Sequence, residues 1–365
     1  MKICILTHNL DVKNGGGRFS YELITKLKKL DKDLEIKVLT AVNSGHKLEK
    51  TILYPNKIKL FFSLLKIRKV IKQYDIIHAL DGWPYGVIAV LASIGLSKKI
   101  IITAVGSGSI QPLYSFWTSP ILKWSYHCAD KLTTISSYTA REVIKKVSDL
   151  KIKAIPLGID YNYFLDKIQQ INKNNQEINN IKPYILSVGK IKPRKGYHIS
   201  LEVFAKVSQQ ISDLRYVIVG SGKGEYFEKL RKIINDLEID KKVIFQQNIS
   251  DYELASFYQG AELFLLLPQN IDYDVEGFGL VYLEAAAFGL PVVGGLNSGA
   301  EDAIMDKQNG FLVDAKNINE TADLIIKILN DQKLREKLGE ESIKFAKKMN
   351  WQEVARQYLN IYKTL

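Results

Sequence analysis

The stretch ELFLLLPQNIDYDVEGFGLVYLEAAAFGLPVVGG, residues 262–295, carries the alternation that decides the fold. Leu263–Leu267 is a short apolar run closed by Pro268 and reads as a strand. A polar loop follows, then LVYLEAAAFG, which has helical composition and stops at Gly289 and Pro291. PVVGG then resumes as a strand. Strand and helix in succession imply an α/β domain with a parallel, doubly wound sheet. The same stretch sets two carboxylates around a glycine pair. Glu276 stands just before Gly277-Phe278-Gly279, and Glu284 lies further on inside the apolar run. A helix beginning near Gly279 points its free amides back at the loop, where small residues let an anion approach and the helix dipole favours it. Glu284 either keeps its head in water or accepts two hydrogen bonds from a vicinal diol such as a ribose.

Upstream, SVGKIKPRKG (187–196) ends a strand at Lys190, turns through Pro193 and sets Lys195 before Gly196 and a helix. Two cations in one strand-to-helix loop either flank a diphosphate or make a solvated basic turn. YILSVGK, RYVIVG and KVIF continue the strand pattern of this half. In the first half KICILT, EIKVLT, DIIHAL, KKIIITA, KLTTIS and KIKAIP read as strands. Helical stretches such as FSYELITKLKKL and SYTAREVIKKV lie between several of them. NLDVKNGGGRFS places Gly15, Gly16 and Gly17 before a helix directly after the first strand. That loop either admits a phosphate or sugar closely or is a plain flexible turn. Between the halves, eight of the 18 residues of DKIQQINKNNQEINNIKP (166–183) are Asn or Gln, the mark of a linker or exposed excursion. Two Rossmann-like units are expected, at 1–165 and 183–349.

The charge is divided as sharply as the pattern. Residues 1–165 hold 25 Lys and Arg against 12 Asp and Glu, whereas 166–365 hold 26 against 27. A basic half points to an anionic partner, whether a membrane surface, a nucleic acid or a phosphorylated substrate, or to a merely solvated surface. No helix-turn-helix, zinc or ribonucleoprotein signature accompanies the charge, so no nucleic acid is expected. NKIKLFFSLLKIRKVIKQYD (56–75) interleaves Lys57, Lys59, Lys66, Arg68, Lys69 and Lys72 with Phe61, Phe62, Leu64 and Leu65. It reads as an interfacial helix on an anionic membrane or as a surface helix packed on the sheet. LYSFWTSPILKWSY (113–126) adds Trp117 and Trp124 for lipid, for acceptor or for a cleft wall.

Cys4 and Cys128 fit a reduced cytoplasmic chain, not a disulfide scaffold. No signal peptide is visible after Met1-Lys2-Ile3, and the apolar run 86–96 is too short to span a bilayer. VGSGKGEYF imitates the fingerprint of an NAD-dependent dehydrogenase. Gln246 and Gln247 follow KVIF, however, where a ribose-binding acid is needed. Asp272-Tyr273-Asp274 is read as a surface turn, and with no His/Cys cluster no metal is expected.

Taken in order, GGGRFS, IPLGIDYNYF (155–164), SVGKIKPRKG, VGSGKGEYFEKL (219–230), the paired-glutamate stretch with PVVGG, and the terminal WQEVARQYLNIYKTL resemble one family. It is the large retaining glycosyltransferase family of the family-four type, which includes glycogen synthases, sucrose synthases and bacterial lipopolysaccharide and phosphoinositol mannosyl transferases. The resemblance implies the GT-B fold, two Rossmann-like domains facing across a cleft that holds the active site. The first domain takes the acceptor and the second the donor, and a terminal helix at 350–365 crosses back to the first. Glu276 matches the acid that meets the donor sugar near the reacting carbon. Phe278, Gly279 and Leu280 match backbone contacts to sugar and phosphate, and Glu284 the ribose-binding acid. Lys190, where arginine is commoner, and Lys195 match the diphosphate cations, and Gly16 and Gly17 the loop that approaches the donor.

The chain departs from its relatives in two places. Thr103-Ala104-Val105-Gly106 lacks the histidine many relatives carry at Val105, and the usual serine after LLLP is Gln269. His78, Asp81 and Gly106 are the expected acceptor or sugar contacts, with His78, at a strand end, also readable as simply a satisfied, partly buried imidazole. The resemblance further implies transfer of a hexose from a nucleotide-diphosphate sugar, with the leaving phosphate taking the acceptor's proton and no other cofactor. A glycan or lipid-linked acceptor of cell-envelope polysaccharide or glycolipid synthesis, met in the cytoplasm or at the inner membrane face, completes the expectation. The alternative is a non-catalytic relative that only binds nucleotide-sugar.

Overall fold

A computed structural model describes residues 1–170 and 176–365. It divides into two compact units: Met1–Gly158 with Asp272–Gly277 and Trp351–Leu365, and Ile159–Ile271 with Phe278–Asn350.

In the first unit the apolar runs become β1 (Lys2–Thr7), β2 (Glu35–Thr40), β3 (Glu49–Thr51), β4 (Ile76–Leu80), β5 (Lys99–Ala104), β6 (Lys131–Thr134) and β7 (Ile152–Ala154). They form one sheet in the order β3-β2-β1-β4-β5-β6-β7, paired in parallel throughout. Ile3, Cys4, Ile5 and Leu6 are sealed from solvent, because helices cover both faces of a parallel sheet. β3 carries none of the apolar alternation that marks a strand. This edge segment is held by the ladder to β2 and by Thr40, whose hydroxyl donates to Glu49 at 2.6 Å.

The second unit repeats the plan with β8 (Tyr184–Val188), β9 (Arg215–Val219), β10 (Val243–Gln246), β11 (Leu263–Leu266), β12 (Val292–Gly295) and β13 (Gly310–Val313). Its order is β10-β9-β8-β11-β12-β13, again parallel. Each sheet reverses its direction of growth next to its first strand, between β1 and β4 and between β8 and β11. At such a reversal the connecting helices leave on opposite faces and open a crevice beyond the strands' carboxyl ends.

The terminal helix Trp351–Thr364 groups with the first unit. Trp351 stacks on Phe19 at 6.2 Å, and Tyr358 and Tyr362 are buried beside β4 and β5. Three boundaries differ from the sequence reading. Residues 159–165 group with the second unit, where the Ile159 amide donates to Met349 at 2.7 Å and the Tyr163 hydroxyl to Asp251 at 3.1 Å. Residues 272–277 group with the first unit although they lie deep inside the second in sequence. The polar stretch 166–183 is also not wholly linker. It holds the end of the helix Tyr161–Gln170 and a helix Gln176–Asn180, whose Ile178 is buried against Gly260. Its residues 171–175 lie outside the described residues.

The expected interfacial helix at 56–75 is two helices, Lys57–Phe62 and Leu64–Ile71, broken at Ser63, whose hydroxyl donates to the Leu60 carbonyl at 2.6 Å. Leu60, Ile67 and Ile71 face the core. Phe61, Phe62 and Leu65 point outward with exposures of 58%, 78% and 79%.

Candidate functional site

In the second unit, two loops flank the reversal between β8 and β11. The loop after β8 carries Lys190, exposed, and Lys195, which is 92% hidden from solvent with its ammonium 3.6 Å from where a Cβ on Gly189 would stand. The turn is seated on the end of β11. The Gln269 amide donates to the Arg194 carbonyl at 2.8 Å, and Gly196, in a left-handed conformation, lies so close that a Cβ would meet the Leu267 carbonyl at 1.7 Å. No side chain larger than hydrogen fits there.

The helix Leu280–Ala287 is tied to the same strand end, since the Tyr282 hydroxyl donates to the Leu266 carbonyl at 2.7 Å. It starts from Gly279, also left-handed, with no side chain capping it. The cation turn and the helix start are thus both fixed to Leu266–Gln269, where a helix N-terminus and a nearby ammonium favour an anion. Glu284 is buried within this helix, and the Tyr258 hydroxyl donates to its Oε2 at 3.1 Å. Sequence reading missed Tyr258. It is 26 positions away, and one more tyrosine in the amphipathic helix Asp251–Gly260 looks like core.

In the first unit, Asp81 stands at the end of β4, beside the reversal. Its Oδ1 accepts from the Gly82 amide at 2.8 Å and from the Ser109 hydroxyl at 2.6 Å. Burial nevertheless dominates and pushes its pKa up to about 7. Across the reversal, the exposed His8 after β1 shares a 2.9 Å hydrogen bond with the Tyr85 hydroxyl. Neither His8 nor Tyr85 belongs to a recognisable motif, and only the topology makes them neighbours.

Two expected contacts are overturned. His78 lies inside β4, sealed from solvent, with Nδ1 2.7 Å from the Tyr362 hydroxyl and Nε2 2.8 Å from Thr103. Desolvation pulls its pKa down to about 3, so it is a neutral core imidazole with both nitrogens occupied. Gly17 does not admit a ligand. The glycine triplet opens the helix Gly15–Leu30, the Asn14 side chain caps the Gly17 amide at 2.8 Å, and a Cβ on Gly17 would meet Asp11 and Asn9 within 2.3 Å. Gly15 and Gly16 stay exposed with room around them.

Glu276 is buried in the segment that groups with the first unit, and Phe278 and Leu280 are buried in the second. Among the described residues, no group of three or more His, Cys, Asp and Glu side chains is placed to hold a metal ion. No helix among them is long and apolar enough to cross a membrane.

A family model described as Glycosyltransferase Family 4 matches residues 13–163, and one described as Glycosyl transferases group 1 matches 168–345. A GDP-mannose-dependent alpha-(1-6)-phosphatidylinositol monomannoside mannosyltransferase of Mycobacterium tuberculosis is 24% identical over 73% of this chain and 70% of its own length. An uncharacterised glycosyltransferase of Methanocaldococcus jannaschii is 25% identical over 94% and 93%. Among solved structures, Anabaena HepE in complex with UDP superposes with a TM-score of 0.82 at 18% identity, over 100% of both chains. A sucrose-phosphate synthase of Thermosynechococcus elongatus superposes with 0.74 at 19%, over 100% of this chain and 98% of its own. These two likenesses concern the fold.

Proposed function

We propose, from the premise that this chain is a GT-B glycosyltransferase of the family-four type, that it moves a hexose from a nucleotide-diphosphate sugar, with retention, to a glycan or lipid-linked acceptor of cell-envelope synthesis. One observation carries the reading. A buried cation, Lys195, and an uncapped helix start at Gly279 are fixed to the same strand end beside the reversal of the second sheet.

Breaking the bond between the sugar and its phosphate leaves negative charge on the diphosphate and positive charge on the sugar ring. Lys195, Lys190 and the amides of Gly279 and Leu280 stabilise the first. A preorganised donor of that kind contributes about 3–4 kcal/mol to the transition state. Burial strengthens Lys195, because its field is not screened by water. Glu284 takes the ribose hydroxyls through its carboxylate, oriented by Tyr258. Glu276 meets the sugar beside the reacting carbon. The acceptor hydroxyl attacks from the face that the diphosphate leaves, and the departing phosphate oxygen takes its proton. No other cofactor enters, and Asp81 and the Gly106 backbone serve the acceptor side.

A screen of nucleotide-sugars by thermal shift, including UDP-glucose and GDP-mannose, followed by hydrolysis and transfer assays with the best of them, tests this. A donor that stabilises the chain and is consumed supports the reading. Stabilisation without turnover leaves only a nucleotide-sugar binder, and no shift with any nucleotide-sugar rejects both.

The acceptor is met at an anionic membrane surface. Phe61, Phe62 and Leu65 stand out from the two short helices among exposed Lys59, Lys66, Lys69 and Lys72, whereas Arg68 is taken by the carbonyls of Ala92 and Ile94. Each juxtamembrane cation contributes about 1 kcal/mol against anionic lipid, and the aromatic side chains bury in the headgroup layer. Phe61→Ser with Phe62→Ser should abolish co-sedimentation with phosphatidylglycerol vesicles. Equal pelleting of the wild type with neutral phosphatidylcholine vesicles would reject the electrostatic part.

A further inference from the structure

The segment Asp272–Gly277 carries Glu276 and interrupts the second Rossmann-like unit, yet it is packed as part of the first. It is held at five points. Gln111 donates to the Asp272 carbonyl at 3.2 Å, and Tyr273 stacks on Tyr114 with ring centroids 3.4 Å apart. The Lys146 ammonium lies 4.1 Å from the Tyr114 ring. The Ser107 hydroxyl donates to Asp274 Oδ1 at 2.6 Å, lies 3.1 Å from the Val275 carbonyl and accepts from the Val275 amide at 2.9 Å. The Val275 side chain is buried in the first unit's core, and the Gly277 backbone lies directly on Val105 and Gly106. A Cβ on Gly277 would stand 2.9 Å from the Val105 carbonyl, and one on Gly106 would stand 3.1 Å from the Gly277 Cα.

The strap is also strained. Asp272 and Tyr273 take φ of 50° and 63°, a region that costs a non-glycine residue free energy and persists only where the surroundings hold it. The turn expected at Asp272 and Tyr273 is present and exposed, but it is tied down. Asp274 is bound to Ser107, and Tyr273 is clamped by an aromatic partner.

We infer that Ser107 and Tyr114 are positioning residues that hold the strap and thereby fix where the Glu276 carboxylate stands. The inference rests on the reading of Glu276 as the acid that meets the donor sugar. It also accounts for the residues at the departure from the family. The stretch where relatives carry histidine here supplies a backbone bed, Val105 and Gly106, and a clamp, Ser107, for the segment bearing the acid.

Two measurements on the full chain test it. Amide exchange followed by mass spectrometry should show the 272–277 segment opening about tenfold faster in Ser107→Ala and in Tyr114→Leu, with Ser107→Thr near wild type. Unchanged exchange in Ser107→Ala overturns the clamp whether or not a substrate is known. With whichever of UDP-glucose and GDP-mannose the wild type consumes, Ser107→Ala should lower kcat about tenfold and leave KM and the affinity for the matching nucleoside diphosphate unchanged. In a Glu276→Gln background the same change should have no further effect, because it acts through that carboxylate. Additive losses overturn the inference. Full turnover in Glu276→Gln itself instead overturns the reading on which it rests, and the exchange result stands apart from both.

Discussion

The two sheet reversals are built on one plan and filled with opposite chemistry. Each lies beside the first strand of its unit, β1 with β4 and β8 with β11. At the second, the loops bring a buried lysine, an exposed lysine and an uncapped helix start, a set that attracts an anion. At the first, they bring a carboxylate held by Ser109 and the Gly82 amide, and a histidine against a tyrosine hydroxyl. The contrast is sharper because the unit with the anion-attracting crevice is not the basic one. The net excess of Lys and Arg lies in residues 1–165. Overall charge thus speaks to encounter and surface binding. What a crevice takes depends on the few groups that the topology aims into it.

The largest effect should come from breaking the anion side. Lys195→Ala removes a buried cation and should lower kcat/KM about 10²–10³-fold, with nucleoside diphosphate affinity falling alongside. A loss no greater than that of the exposed Lys190→Ala would erase the distinction between the two cations. Glu284→Ala should come next, weakening nucleotide-sugar affinity about tenfold by calorimetry, the value of a hydrogen bond to a charged group. Unchanged affinity would leave Glu284 a core carboxylate that takes no part in binding the nucleotide.

The smallest effect belongs to the acid side and appears as pH dependence. With its pKa raised to about 7, Asp81 is protonated in the folded chain where the unfolded chain has lost the proton. Its contribution to stability therefore falls as pH rises from the ordinary carboxylate range through 7. His78, pulled from 6.5 to about 3, acts oppositely and costs stability as pH falls below 6.5. Asp81→Asn should remove the first and leave the second, so the thermal midpoint should drop more steeply between pH 7 and pH 5 than in the wild type. Parallel curves would mean that Asp81 is ionised throughout.

Much of this fold is legible in the chain because parallel strands buried on both faces must be apolar runs. KICILT and ELFLLLP announce themselves, and Gly196 and Gly279 mark turns that larger side chains cannot make. The edge strand Glu49–Thr51 is invisible because its ladder uses backbone groups, which every residue shares. His78 shows the limit from the other side. A histidine in an apolar run looks the same in sequence whether it faces a ligand or Tyr362.

Period, glycine position and the spacing of charged residues along the chain by themselves determined two Rossmann-like units, a cation turn, and an acid pair around a helix start. These depend on interactions within a few residues of one another. Only the tertiary structure decided that Tyr258 partners Glu284 and that Ser107 grips a segment 168 positions away. Such contacts follow from which strand ends become neighbours when the sheets close, and no local pattern encodes that.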